Sequence, residues 1–326
     1  MKSICYIVPY FGKIPKEFQI WLDTCKFNET INWIIITNDM SEFDYPNNVQ
    51  RIQMSFDEVK QRIQQYFDFT IQLENYWEIS FFKPAYGEIF QEYIQKYDFW
   101  GHCDIDLMWG NIRKFITDDI LEKYEKIGFQ GHSTLYKNTK EINRRYKTIV
   151  PGQISYKDVY SGKVKYSFDE NGMEKIYNFL NIDYYKKTNF AHLSKYDYSF
   201  YLKYLPDRDS YKNERQIFIW KNGKLERLYL DNGKIGSEEF MYIHFFCRPI
   251  KYKVEKLEKN KKYIIYPDVI KEYDKEIDYN FIKKFGKCSK MQYYIRSLYY
   301  NRKKITIKKI RQNIKRMIEY KKTKRG

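Results

Sequence analysis

No stretch of the 326-residue chain approaches the roughly 18 consecutive apolar residues that a membrane-spanning helix needs. The apolar run from Ser3 to Pro9 is too short for a secretory leader and reads as a first buried strand. Cysteine is sparse: Cys5, Cys25, Cys103, Cys247 and Cys288 are odd in number, widely spaced and never paired as C-x-x-C. That excludes a disulfide framework and a cysteine zinc cluster, and it fits a reducing cytoplasm. No internal repeat and no low-complexity linker is present, which excludes a repeat array. Acidic residues are in deficit, 42 against 59 Lys and Arg, for a net charge of +17 and a pI near 9.3. Such a balance favours an anionic partner: nucleic acid, an acidic membrane surface or a phosphorylated substrate. Much of the excess lies at the end, where ten basic residues between Lys303 and Lys324 face Glu319 alone, so the body is only mildly basic.

What is present is size and aromatic surface. At 40.3 kDa the chain can form one large α/β domain with an appendage, or two modest domains. Aromatics make up 19% of it, with 34 Tyr and 23 Phe, enough for a core and for surfaces that stack on sugars and bases.

The stretch Phe99-Trp100-Gly101-His102-Cys103-Asp104-Ile105-Asp106-Leu107-Met108-Trp109-Gly110 is the most informative. On a strand, Asp104 and Asp106 share one face while Ile105 and Leu107 point into the core. Neighbouring anions in an apolar frame repel and lose hydration, so a divalent cation or a basic side chain between them is expected.

The N-terminal half alternates strand and helix patterns. Strands are expected over Ser3–Pro9, Trp33–Thr37 and Val49–Met54, and helices over 15–25, from Ser55 to Phe67, and over 83–97. Ser55 with Glu58 forms a capping box, and Pro84 opens the later helix. This order predicts a mostly parallel, doubly wound sheet, with ligands at the carboxyl ends of its strands. Tyr10-Phe11-Gly12, Asn38-Asp39 and the Asp104/Asp106 pair then converge on one crevice. Further on, a hairpin is expected over Gln216–Trp220 and Leu225–Leu230 around Asn222-Gly223, followed by a buried strand over Phe240–Phe246 that contains His244.

These residues resemble the nucleotide-sugar glycosyltransferases of the GT-A fold. Phe82-Lys83-Pro84-Ala85-Tyr86-Gly87, the run from Trp100 to Asp106, and Tyr242-Ile243-His244 resemble a bacterial family of unknown function associated with capsule and exopolysaccharide synthesis. The resemblance covers residues 1–250 as a GT-A-like domain and leaves 251–326 as a basic, helical, membrane-associating extension. It implies that Asp104 and Asp106, with His244, hold Mn²⁺ or Mg²⁺ against the diphosphate of a nucleoside-diphosphate-sugar donor. It further implies donor contacts from Asp39, Asp104, Arg248 and Lys251; Tyr10, at a strand end, and Lys83, which could reach donor phosphates or be a solvated helix-start lysine, are further candidates. The acceptor would be a cell-surface glycan or lipid-linked oligosaccharide, and the enzyme a peripheral one at the inner face of the cell membrane. Asp169 or Glu170 could deprotonate the acceptor hydroxyl.

Simpler readings stand beside these. Asp-x-Asp pairs are commonly solvated turn residues, Asp39 could cap a turn, and Asp169-Glu170 before Asn171-Gly172 suits turn chemistry. His244 could be a hydrogen-bonded core histidine, His102 a packed neighbour of the site, and His132 structural or an acceptor contact. Ile307, Ile310, Ile314, Met317 and Ile318 recur at helical spacing among basic residues, which suits either a solvated helix or one lying on anionic lipid. Two rival functions remain: a nucleic-acid binder or metal-dependent nuclease, disfavoured because the charge sits in the tail, and a noncatalytic sugar-binding scaffold.

Overall fold

β1 (Ile4–Pro9) and β2 (Ile31–Thr37) carry apolar residues on both faces, the pattern of strands covered on both sides. In the computed structural model, which describes residues 1–193, 200, 202–203, 215–287, 291, 294–295 and 297–298, they lie at the heart of a six-stranded sheet. The other members are β3 (Val49–Gln53), β4 (Phe99–Cys103), β6 (Lys126–Gln130) and β7 (Ser133–Lys137), in the order β3-β2-β1-β4-β7-β6. The first four of that order run parallel, whereas β7 is antiparallel to both β4 and β6. The mostly parallel, doubly wound α/β sheet expected from the sequence is therefore present. Ile4, Tyr6 and Val8 pack into a cluster with Trp21 and Trp33, while Cys5 and Ile7 pack on the opposite face with Val59, Phe82 and Trp100.

The local signals act as expected in most places. α1 (Phe18–Lys26) follows β1, and α2 (Phe56–Gln64) begins at a complete capping box in which Ser55 accepts from the Glu58 amide and donates its own amide to the Glu58 carboxylate. The helix expected over 83–97 is different. The chain turns as a 3₁₀ helix from Tyr76 to Ala85, then as two single turns, Tyr86–Ile89 and Gln91–Ile94. Glu78 starts it early by accepting the amides of Glu74 and Asn75, and Phe90 leaves helical geometry at φ −113°, ψ 28°.

β4 ends at Cys103, and the chain bends through Asp104-Ile105-Asp106 into β5 (Leu107–Trp109), which belongs to another sheet. The two aspartates thus occupy a bend between two sheets rather than one continuous strand. The second sheet orders β5, β13 (Tyr242–His244), β8 (Phe190–Leu193) and β9 (Leu202–Lys203) side by side.

A third sheet contains the expected hairpin, β10 (Gln216–Lys221) and β11 (Lys224–Asp231), whose turn residues Asn222 and Gly223 both have positive φ (49° and 78°), as a two-residue I′ turn requires. It is joined by β12 (Lys234–Phe240), β14 (Lys251–Tyr252), β15 (Tyr263–Tyr266) and β16 (Val269–Glu272). Three of these strands lie beyond residue 250, where the sequence led us to expect a helical extension. Alternating apolar residues such as Tyr263, Ile265 and Ile270 need the buried face that Phe218 and Trp220 provide. Trp220 also donates its ring N–H to the Trp109 carbonyl at 2.8 Å, tying this sheet to β5. The basic stretch 302–325, with its expected amphipathic helix, lies outside the described residues. Among the described residues no helix is long and apolar enough to cross a membrane.

Candidate active site

The bend at 104–106 sits where β4 ends and the second sheet begins, so two independent sets of strands deliver side chains to it. Pairing of β13 with β5 places His244 opposite Leu107, and pairing with β8 places it opposite His192. The Phe245 amide donates to the Asp106 carbonyl at 3.0 Å and holds the bend against β13. As a result His244 Nε2 lies 3.1 Å from Asp106 Oδ1 and 3.8 Å from Asp104 Oδ2. Donor atoms of Asp104, Asp106 and His244 lie within 4.8 Å of one another.

Each carboxylate is further held. Lys83, buried at the end of the 3₁₀ helix, places Nζ 2.6 Å from Asp104 Oδ1 and donates to the Gly131 carbonyl at 2.8 Å. Burial disfavours its charge, but Asp104 and Asp169 outweigh that and raise its pKa, so it is a fixed cation. Asp106 Oδ2 accepts the Cys247 amide at 3.3 Å. Burial pushes its carboxyl up, and the His244 hydrogen bond and charge overcome this to hold it below the usual carboxylate range.

Two carboxylates and one imidazole nitrogen form a donor set suited to a hard divalent ion such as Mn²⁺ or Mg²⁺. The other ring nitrogen of His244 lies 3.0 Å from His192 Nδ1, a contact that orients the ring with Nε2 toward the carboxylates. The residues present therefore fit a metal ion.

The bend opens into a cleft of about 810 Å³. Tyr10, Lys83, Asp104, Asp106 and Arg248 are among the residues that line it. Its mouth is aromatic, with Tyr76 and Trp77 both about half exposed. Asp169 and Glu170 also reach this neighbourhood. Glu170 accepts the Gly131 amide at 2.7 Å, and a methyl group on Gly131 would collide with the Asp169 carboxylate. Burial is the main reason that the Asp169 carboxyl is pushed up to about 6, with Lys83 opposing and Glu170 and Asp104 adding to the rise.

Asp39, Arg248 and Lys251 each make bonds outside the acidic pair. Asp39 sits at the end of β2 but is not part of the cleft lining; its carboxylate accepts the amides of Ile14 and Ser41 and pins two loops. Burial opposes ionisation of its carboxyl, and these bonds prevail to lower the pKa. Arg248 borders the cleft with its guanidinium donating to the Pro267 carbonyl at 2.7 Å and 3.9 Å from Asp268, so it braces the third sheet. Lys251 is exposed on β14, with its amide donating to the Asp268 carbonyl at 2.7 Å, away from the cleft lining.

His102 is fully buried against Tyr136, and burial lowers its pKa, in keeping with a packed neighbour of the site. His132 is buried beside His244, and its Nδ1 lies 2.8 Å from the Tyr242 hydroxyl. His192 was not singled out from the sequence. Its only signal was that histidine is rare, four in the whole chain, and Phe190-Ala191-His192-Leu193 reads as an ordinary apolar strand.

A family model described as a family of unknown function, DUF6625, matches residues 6–274. The match runs beyond residue 250, in keeping with the third sheet continuing to Glu272. No curated protein matches the chain. Solved structures similar to it include the galactosyltransferase LgtC with donor and acceptor sugar analogues, at 12% identity, covering 76% of this chain and 88% of that one with a TM-score of 0.39. Another is the apo form of mouse xyloside xylosyltransferase 1, at 9% identity, covering 77% and 99% with a TM-score of 0.42.

Proposed function

The chain belongs to DUF6625, a family of unknown function, and we propose that it is a metal-dependent glycosyltransferase that moves a sugar from a nucleoside-diphosphate-sugar to a glycan acceptor. The observation that carries this reading is the convergence of Asp104, Asp106 and the buried cation of Lys83 on one aromatic-mouthed cleft, with His244 beside the two carboxylates.

The chemistry needs what this arrangement offers. Breaking the bond between sugar and diphosphate builds negative charge on the departing phosphate, and a divalent ion held by Asp104, Asp106 and His244 would neutralise it as a Lewis acid. Lys83 contributes a cation that is already desolvated and positioned, so little reorganisation is needed when charge develops beside it. His192 holds His244 by its Nδ1, and the Cys247 amide holds Asp106, which keeps the donor atoms aimed at one point. Tyr10, Tyr76 and Trp77 offer ring faces to a nucleobase or a sugar. Asp169, with a carboxyl at about 6, is suited to accepting the acceptor's proton near neutral pH. Glu170, bonded to the Gly131 amide, holds the loop that carries the Lys83 contact.

An acceptor at a growing cell-surface polysaccharide, and attachment of the basic C-terminal stretch to an anionic membrane, complete the proposal. Calorimetric titration with a panel of nucleotide-sugars, with and without Mn²⁺, tests its core. Metal-dependent binding of a donor that disappears in Asp106→Asn is expected; no donor binding by folded protein in the presence of Mn²⁺ overturns it.

A further inference from the structure

Beside the acidic pair lies a cluster that the transfer reaction does not use in full. Parallel pairing of β8 with β13 sets His192 directly opposite His244, with ring centroids 4.8 Å apart. His132 arrives from the turn between β6 and β7, its ring 4.3 Å from that of His244 and 5.2 Å from that of His192. All three are buried, and each offers a nitrogen within 4.8 Å of the other two. A second observation points to a ligand. His132 is 3% exposed, its Nδ1 is matched with the Tyr242 hydroxyl, and its Nε2 is buried with no hydrogen-bond partner. A buried polar atom left without a partner costs on the order of 1–3 kcal/mol, so such an atom calls for an explanation.

We propose that His132, His192 and His244 form a second metal site, one that takes a nitrogen-preferring divalent ion such as Zn²⁺ and competes with the carboxylate site for His244. Three imidazoles without a carboxylate suit zinc better than magnesium or manganese, which favour oxygen donors. The charge brought in is not isolated, because His244 separates this cluster from Asp104 and Asp106 by a single ring. The competition follows from the ring itself. His244 faces His192 with Nδ1 and Asp106 with Nε2, and a neutral imidazole has one lone pair. An ion on Nδ1 leaves the proton on Nε2, where it donates to Asp106 and no longer serves an ion held by the carboxylates. Zinc in the histidine cluster therefore weakens manganese or magnesium binding next to it.

This inference stands apart from the proposed transfer reaction, because its readout is metal binding alone. Full-length protein is stripped with chelator and titrated with ZnCl₂. The Asp104→Asn/Asp106→Asn double variant is expected to keep a single equivalent of Zn²⁺. His132→Gln and His192→Gln are each expected to weaken zinc binding by more than the roughly 10–100-fold that loss of a supporting contact costs. Failure of the double variant to bind zinc, or unchanged affinity in His192→Gln, overturns the site. Should the histidine variants fail to fold, Co²⁺ added to the unmutated protein decides. Intense visible absorption from four-coordinate, nitrogen-ligated cobalt supports the site, and only the weak spectrum of six-coordinate, oxygen-ligated cobalt overturns it. Mn²⁺ affinity, measured with and without one equivalent of Zn²⁺, is expected to fall on zinc addition; unchanged affinity refutes the sharing of His244.

Discussion

Asp169 gives the sharpest quantitative test of the site's electrostatics. It lies in the single π-turn Phe168–Gly172, and its carboxyl is pushed up to about 6 from an ordinary 3.8, chiefly by burial. The folded protein thus holds this proton more tightly than the unfolded chain does. The stability it contributes is fully present below about pH 3.8 and is lost as the pH rises through about 6. At 1.36 kcal/mol per pKa unit the interval amounts to about 3 kcal/mol, or about 2–3 kcal/mol once the partial exposure of the residue is allowed for. Asparagine has the shape of the protonated acid and cannot ionise. Asp169→Asn should therefore match the parent near pH 3.5, exceed it by about half the full gain near pH 5, and be about 2–3 kcal/mol more stable at pH 8. Guanidinium unfolding in the presence of chelator, repeated across this range, measures the difference directly. A gap that does not change with pH, or an asparagine variant less stable than the parent at pH 8, would refute the reasoning. The same variant should lose most transfer activity if Asp169 accepts the acceptor's proton.

Three further outcomes follow from the geometry. Lys83→Met removes the cation bonded to Asp104 and Gly131; it should destabilise the fold by about 1–2 kcal/mol, because Asp104 is one-third exposed and can rehydrate, and should abolish donor binding in calorimetry. Gly131→Ala would drive the Asp169 carboxylate aside, and since that is the far end of a side chain, thermal unfolding should shift little while turnover falls sharply. Trp77→Ala, at a position 52% exposed on the cleft mouth, should change stability by no more than about 0.5 kcal/mol while raising KM for a substrate that stacks there.

Local rules account for what was legible beforehand. The doubly apolar runs of β1 and β2, the Ser55-Glu58 capping box and the Asn222-Gly223 turn depend on residues a few positions apart, and each formed where the sequence placed it. Asp104 and Asp106 were singled out by their apolar frame, and His244 was joined to them only through the resemblance to GT-A glycosyltransferases; in the structure the three lie together. Other features depended on which strand lies beside which. The break of β4 at Cys103 follows from the chain passing between two sheets, and the strands after residue 250 follow from the apolar face that β10 offers. Pro267 and Ile14, the partners of Arg248 and Asp39, are likewise brought to them only by folding.

The sequence by itself determined an α/β sheet with an acidic pair following one of its strands, because hydrophobic period and turn chemistry act over a few residues. Tertiary structure alone decided that His132 and His192 join His244, that Lys83 pairs with Asp104, and that Asp169 is buried enough for its carboxyl to be pushed up. These contacts span from 21 to more than 100 positions in the chain, and at such separations only strand order and register bring the groups together.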